Sequence, residues 1–404
     1  MRTDNFQWLK GFNYNPSNSR NCVEFWRDYD RELVSREMEY AKRLGLNCAR
    51  ILLSYVVYKS DPGKFIGNLI HFVDTANSKG IKTIPAIWDS CFSEDEPSLD
   101  TDVNEWIPNP GVMYLGEKYW QEQSLYCDAI IEALENNPGL LVWDVHNEPF
   151  ETSYIYGYKG EEKQRHFDEI LAFTLHWCKY FHVKSTRPVT VGVAYTNQLE
   201  HFTEACDVLS FHDYSPTWQG IKNIYGNAVK IAQQAGKAVF CSEMCCAGRA
   251  NPYDIAIQTA NEKKVGYFLW ELMIGRNKWS NICGIVYPDG TVRDPSIVAA
   301  ILGFFRKRDE IGSDYNVNAE GVADRILARA ENWLSGSERD YQEGLNITCV
   351  MANLVESGNL VPLNILPSAQ YAILEKSNHE DRGTIEALIS KWSVILRDDA
   401  NKKR

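Results

Sequence analysis

A chain of 404 residues, 44% hydrophobic and 12% aromatic, is long enough to bury one large core and carry an appendage beside it. Its net charge of -12 argues against nucleic acid and anionic membrane surfaces as partners, since both require clustered Lys and Arg, and no apolar run approaches the roughly 20 residues of a membrane span. Eleven cysteines, scattered without CxxC spacing or paired histidines, fit reduced thiols in a cytoplasm better than a disulfide frame or a zinc site.

The opening MRTDNFQWLKG lacks the apolar segment of a signal peptide, so a cytoplasmic location is expected. From there β-rich segments recur, most of them followed by helical periodicity. Residues 8–14 precede a helix at 31–44, 47–53 one at 65–79, 82–88 one at 120–136, and 140–146 one at 163–181. Segments 188–193 and 208–212 follow, then a helix at 220–235 and two more strands at 238–242 and 266–270. Eight such units within about 300 residues predict an α/β fold, a (β/α)8 TIM barrel occupying 1–305. After Phe305 the polar connector RKRDEIGSDYNVN leads into a helical extension, 306–404. Val322, Ile326 and Trp333 share one helix face there, and Ile385, Leu388, Ile389, Trp392 and Ile395 another, which predicts a pad packing on the barrel or on a partner subunit of a homo-oligomer. Asn346-Ile347-Thr348 reads as a chance match to a glycosylation acceptor.

In LLVWDVHNEPF, residues 140–150, an apolar strand runs directly into His146, Asn147, Glu148 and Pro149. A barrel strand delivers its last residues into the mouth, where a partly desolvated Glu has its pKa raised enough to donate a proton near neutrality. Glu148 is therefore the candidate acid, Asn147 an amide able to bind a hydroxyl, and Pro149 the residue that turns the chain away. A second carboxylate must sit across the mouth, and Glu243, closing KAVFCSEM, fits. Its rival is Glu271 in FLWELM, disfavoured because strand alternation puts Trp270 and Glu271 on opposite sides. Asp144 and His146, four and two residues before Glu148, either support it or form a satisfied polar interior.

NEP at the fourth strand end, HDY at the sixth, Glu at the seventh and Trp at the eighth together resemble the retaining β-glycosidases of glycoside hydrolase family 5 and its clan A relatives. The resemblance spans roughly 1–305 and points to an outlying branch. It implies cleavage of β-glycosidic bonds through a covalent glycosyl-enzyme, a carbohydrate substrate, and no metal or organic cofactor. By position it makes Glu148 the general acid/base, Glu243 the nucleophile and Asn147 the partner of the hydroxyl beside the reacting carbon. Arg50, in NCARILLS, resembles the family arginine that keeps the nucleophile ionised. His212 and Tyr214 resemble the pair flanking the two carboxylates, and Trp270 the platform under the sugar. Where family members often carry a histidine after the third strand, WDS stands here, so Trp88 or Asp89 is expected to contact sugar differently. Met244-Cys245-Cys246 after Glu243 is a second departure.

The same residues serve two alternatives: a barrel that binds carbohydrate without cleaving it, and a transglycosidase. Aromatic residues in the expected mouth loops, Trp26, Trp106, Tyr154, Tyr156, Tyr158, Trp218 and Trp279, favour a sugar pocket closed at one end. The six carboxylates of 94–105 read as a solvated face, and Tyr287 to Thr291 as a tight turn.

Overall fold

The computed structural model describes residues 5–90, 94–100, 106–305, 319–337, 343–344, 347–348, 350–351 and 382–402. Eight strands, Lys10–Asn13 (β1), Cys48–Leu52 (β2), Lys82–Asp89 (β3), Trp143–Asn147 (β4), Val189–Val193 (β5), Val208–Asp213 (β6), Ala238–Met244 (β7) and Gly266–Leu269 (β8), form a closed, all-parallel barrel in sequence order. β8 closes on β1 with Lys10 opposite Tyr267 and Phe12 opposite Leu269. Each predicted segment overlaps one of these strands, and four strands run one or two residues past the predicted end. The first is shorter than expected because Phe6–Trp8 forms a turn of 3-10 helix instead.

That turn has a structural purpose. Phe6 and Leu9 close the floor of the barrel against the inward-facing Cys48, Ile84, Val142, Val208, Phe240 and Phe268. Above this apolar plug the inward side chains become polar: Asn13, Arg50, Asp144, Asn147, His212 and Glu243, all buried. The main core lies outside the barrel, between strands and helices, and holds the largest aromatic residues, among them Trp88, Trp143 and Trp177. The helices are fixed by local signals. Asp30 caps Arg31–Arg43 by accepting from the N–H groups of Glu32 and Leu33. Asp61 caps Pro62–Ser78, which starts on a proline, and Gly236 ends Trp218–Ala235 in a left-handed conformation at φ 65°.

Alternation along β4 is broken. Asp144 and Asn147 both face inward although they are three residues apart, and the β4–β5 register shifts between them. His146 consequently faces outward, its Nδ1 2.8 Å from Thr174 Oγ1 on the helix Gly160–Lys184. Trp88, paired in register with His146, turns outward with it. β7 carries a similar shift between Cys241 and Met244.

Beyond the barrel, Ala319–Ser335 and Arg382–Lys402 share a separate apolar cluster in which Ile326, Leu327, Ala330 and Trp333 meet Ile385, Ile389, Trp392 and Leu396. The connector after Phe305, the side chain of Val322, Asn346, and Thr101 to Glu105 of the acidic run lie outside the described residues. Among the described residues no helix is long and apolar enough to cross a membrane.

Candidate active site

Two carboxylates meet at the barrel mouth. Glu148 follows the last residue of β4 and takes φ 42°, a left-handed conformation that non-glycine residues rarely adopt and that costs on the order of 1–3 kcal/mol. Its backbone N–H donates to Gly192 O at 2.7 Å and its carbonyl accepts from Glu151 N at 3.0 Å, so the surrounding backbone holds it there. Glu243 comes from β7, after the register shift. His212, near the end of β6, sits between them, with Nδ1 2.5 Å from Glu148 Oε1 and 3.4 Å from Glu243 Oε2. The facing atoms of Glu148, His212 and Glu243 all lie within 4.8 Å of one another.

Arg50 organises the floor beneath this pair. Its Nε donates to Asp144 Oδ2 at 2.7 Å, Nη1 to Glu243 Oε1 at 2.7 Å and to Asn13 Oδ1 at 2.9 Å, and Nη2 to Asn147 Oδ1 at 2.6 Å. Asn147 Nδ2 in turn donates to Asp89 Oδ1 at 3.3 Å, and Trp106 Nε1 donates to Asp89 Oδ2 at 2.7 Å. The other oxygen of Glu243 accepts from Tyr214 OH at 2.6 Å. This packing requires glycine at position 192: a Cβ there would stand 2.9 Å from Arg50 Nη2, 3.2 Å from His212 Nε2 and 3.3 Å from Asp144 Oδ2. Because Arg50 Nη2 and Asp144 Oδ2 are pinned by their own bonds and the His212 ring by Nδ1, Gly192→Ala is expected to cost about 1–3 kcal/mol, read by denaturant unfolding, and to lower kcat as Arg50 shifts.

Of the sequence-predicted residues, Arg50, Asp89, Asn147, Glu148, His212, Tyr214 and Glu243 join one hydrogen-bonded network, and Trp270 stands beside it with its ring 5.6 Å from that of Trp106. Trp88 does not belong there. It is wholly buried among Tyr55, Tyr126, Phe173 and Trp177 behind the barrel wall, where the outward turn of β3 and β4 puts it. Trp26 likewise leaves the mouth for the core, stacked on Phe25. Tyr154 and Tyr158 both pack on His166, and Trp218 lies under Lys222.

Around the carboxylates lies a pocket of about 440 Å³ lined by Trp106, Asn147, Glu148, Tyr214, Glu243, Cys246, Arg249, Trp270 and Trp279. A second chamber of about 480 Å³, bordered by Asn13, Asn15, Asn21 and Asn277, continues behind Trp106 and Trp270. The aromatic walls suit small polar ligands with apolar faces.

The barrel can be compared with solved structures. It superposes on an exo-beta-1,4-mannosidase from Opitutaceae bacterium strain TAV5 with TM-score 0.53 at 14% identity, covering 75% of this chain and 62% of that one. A GH5_18 protein from Streptomyces cattleya in complex with GlcNAc gives TM-score 0.52 at 16% identity, over 74% of this chain and 80% of the other. A beta-glucuronidase from Bacteroides uniformis gives 0.50 at 15%, over 74% and 35%. What these likenesses share with the chain is the fold, a closed barrel of eight parallel strands. The chain spans less than two thirds of the mannosidase, no family model matches it, and no curated protein sequence matches it.

At the barrel mouth the electrostatics follow from burial. Burial raises Glu243 above the usual carboxylate range, with His212 and Arg50 pulling the other way and Glu148 adding to the rise. The cation that the sequence assigns to Glu243 is thus present, but desolvation outweighs it. Burial and the nearby Glu243 charge hold the Tyr214 phenol well above its ordinary value, so it remains a donor. Glu148, His212 and Glu243 also form a group of three with spacing suited to a metal ion. Their engaged atoms match a proton-handling pair better: Glu243 is held by Arg50 and Tyr214, and His212 Nδ1 by Glu148.

Sequence reading missed Glu151. It is buried three residues after Glu148, accepts from Gln198 Nε2 at 3.2 Å, and is pushed up to about 7 by burial and by the Glu148 charge. Glu271 follows Trp270 through a cis peptide bond, and both residues border the second chamber, against the opposite-sides expectation. Its carboxylate accepts from Ser280 Oγ at 2.7 Å, and burial pushes it up to about 8. A buried carboxylate with a raised pKa favours folding fully below the unfolded value near 4.5, and that advantage is lost as pH rises through 8. Glu271→Gln, which can still accept from Ser280, is expected to remove a stability loss of a few kcal/mol between pH 5 and pH 9. Unfolding midpoints measured across that window check it, and parallel wild-type and variant curves would refute it.

Proposed function

We propose that the protein is a retaining β-glycosidase acting by double displacement. The observation that carries the reading is the separation of the two glutamates. Facing atoms within 4.8 Å leave no room for the water that an inverting pair, about 6.5–9.5 Å apart, must hold, whereas a retaining pair needs about 5–5.5 Å. In the first step Glu243 attacks the anomeric carbon, the bond to the leaving oxygen breaks, and Glu148 gives that oxygen its proton. In the second, Glu148 as carboxylate takes a proton from water, which attacks the same carbon and releases Glu243. Arg50 and Tyr214 each hold one oxygen of Glu243, which fixes the attacking geometry and stabilises its charge until the bond forms. Trp106, Trp270 and Trp279 supply apolar faces for the sugar, and Asn147 an amide for a hydroxyl.

The test is the configuration of the first product. Aryl β-mannosides, β-glucosides, β-galactosides, β-xylosides and β-glucuronides should be screened, and the hydrolysis of whichever is cleaved followed by proton NMR. The β-anomer should appear first and then mutarotate. Initial α-anomer would refute the reading, and rates equal to those of Glu148→Ala across the whole panel would favour a barrel that binds without cleaving.

A further inference from the structure

One wall of the pocket carries a pair of thiols that the proposed hydrolysis does not use. Cys246, three residues beyond Glu243, and Cys283, at the end of the helix Lys278–Cys283, bring their sulfurs to 2.7 Å. Both are fully buried, but Cys246 borders the pocket together with Trp270, Trp279 and Tyr214, so a small solute entering the pocket meets it. Nothing in either reaction step calls for sulfur there. We propose that Cys246 and Cys283 are a redox modification site, closing reversibly to a disulfide when a hydroperoxide enters the pocket.

The two sulfurs differ in a way that suits this chemistry. Burial opposes ionisation of Cys246, yet the Cys283 S–H, the Arg249 guanidinium and the backbone N–H groups of Arg249 and Gly248 bring its thiol below the ordinary range. Cys283, raised by burial and by its bond to Cys246, keeps its proton. In the first step the Cys246 thiolate attacks one oxygen of the hydroperoxide. An S–O bond forms, the O–O bond breaks, and the departing oxygen takes up the proton that Cys246 released on ionising, leaving as an alcohol, or as water from hydrogen peroxide. Cys283 sulfur then attacks Cys246 sulfur, the S–O bond breaks, and water departs. Two thiols are oxidised and one peroxide is reduced. The product ties the loop after β7 to the helix that carries Trp279. Cys206, hydrogen-bonded to Cys178, offers an internal comparison: both belong to the main core, and burial holds the Cys206 thiol well above its ordinary value.

The experiment needs no glycosidase assay. The whole chain is reduced, exposed to hydrogen peroxide, alkylated, and digested with trypsin without further reduction. Peptides 238–249 and 279–293 should appear joined, two hydrogens lighter than their sum, as the major form of both. Fragmentation should place the link at Cys246 rather than Cys241 or Cys245, and dithiothreitol should release it. Cys283→Ser should abolish the link and leave Cys246 as a sulfenic acid that dimedone traps. If that variant does not fold, the wild-type map alone decides. Separate alkylated peptides after peroxide, a link through Cys245, or a Cys178–Cys206 link in its place would each overturn the proposal.

Discussion

Glu243→Gln is expected to lose about 10⁴-fold or more in kcat/KM on any aryl β-glycoside the protein cleaves, while Glu148→Ala loses far less when the leaving group needs no proton. An amide has the outline of a carboxylate but no charge with which to attack a carbon, so the glycosyl-enzyme does not form. The amide oxygen can still accept from Arg50, but its NH₂ then faces the Tyr214 hydroxyl, so that hydrogen bond is weakened or reversed. Glu148→Ala leaves Glu243 intact. With a dinitrophenolate leaving group the first step proceeds, and the second stalls for want of a base. Azide, small enough for the space left by the carboxyl group, should then attack the glycosyl-enzyme on the face water would have used, giving a β-glycosyl azide and restoring turnover. The same azide with Glu243→Gln should give either no product or the α-azide. A β-azide from Glu243→Gln, or equal losses in both variants with every leaving group, would reverse or remove the assigned roles.

How much of this was legible in the sequence depended on which physical rule a residue obeyed. The barrel was legible because apolar strands and amphipathic helices alternate with the right spacing, and burial on both faces forces each strand to read as an apolar run. The network at the mouth was legible where the strand end itself placed the residue, as with Asn147, Glu148, His212 and Glu243, whereas Arg50, in the middle of its strand, was legible only through the family resemblance. Parity failed at the bulges. In β4 one extra residue between Asp144 and Asn147 sends His146 outward and Trp88 with it, and no property of WDVHN announces that extra residue. Among the aromatic loop residues, Trp106 and Trp279 line the pocket, but Trp26 donates its Nε1 hydrogen to Leu52 O at 2.7 Å and satisfies itself in the core, which a sequence cannot distinguish from waiting for a sugar. Trp106 reaches Asp89 across 17 residues and Glu151 reaches Gln198 across 47, contacts set by how loops cross the mouth. The nearest available signal was position, since Glu151 lies three residues beyond the proposed acid. The thiol pair joins chain positions 37 apart, and spacing rules for cysteine do not address such pairs.

Arg50→Met is expected to destabilise the fold by about 3–5 kcal/mol near neutral pH and to move the acid limb of the rate profile upward. The guanidinium is fully buried and reaches four partners on three other strands, β1, β4 and β7, so the barrel rim is built around it. Methionine fills much of the volume but leaves the Asp144 and Glu243 carboxylates buried without the guanidinium that bonds both, and breaking a buried pair by removing one partner costs more than the pair itself contributes. The pH dependence follows in sign. Arg50 pulls the pKa of Glu243 down, so without it a carboxyl already raised by burial rises further. Below the unfolded value, near 4.5, both states are protonated and the variant pays little; as pH climbs toward the raised folded value, the unfolded chain ionises freely while the folded one resists, and stability falls. The gap between wild type and variant should therefore be small at pH 4 and widest at pH 7 to 8, as read by urea unfolding. The nucleophile must be ionised to attack, so the pH at which kcat/KM reaches half its plateau should rise by the same shift. Arg50→Lys, which restores a charge without the fork that spans Asp144, Asn13, Glu243 and Asn147, should recover part of the stability and part of the shift. An unchanged acid limb in Arg50→Met, with the stability loss intact, would make Arg50 a structural strut and remove it from the control of Glu243.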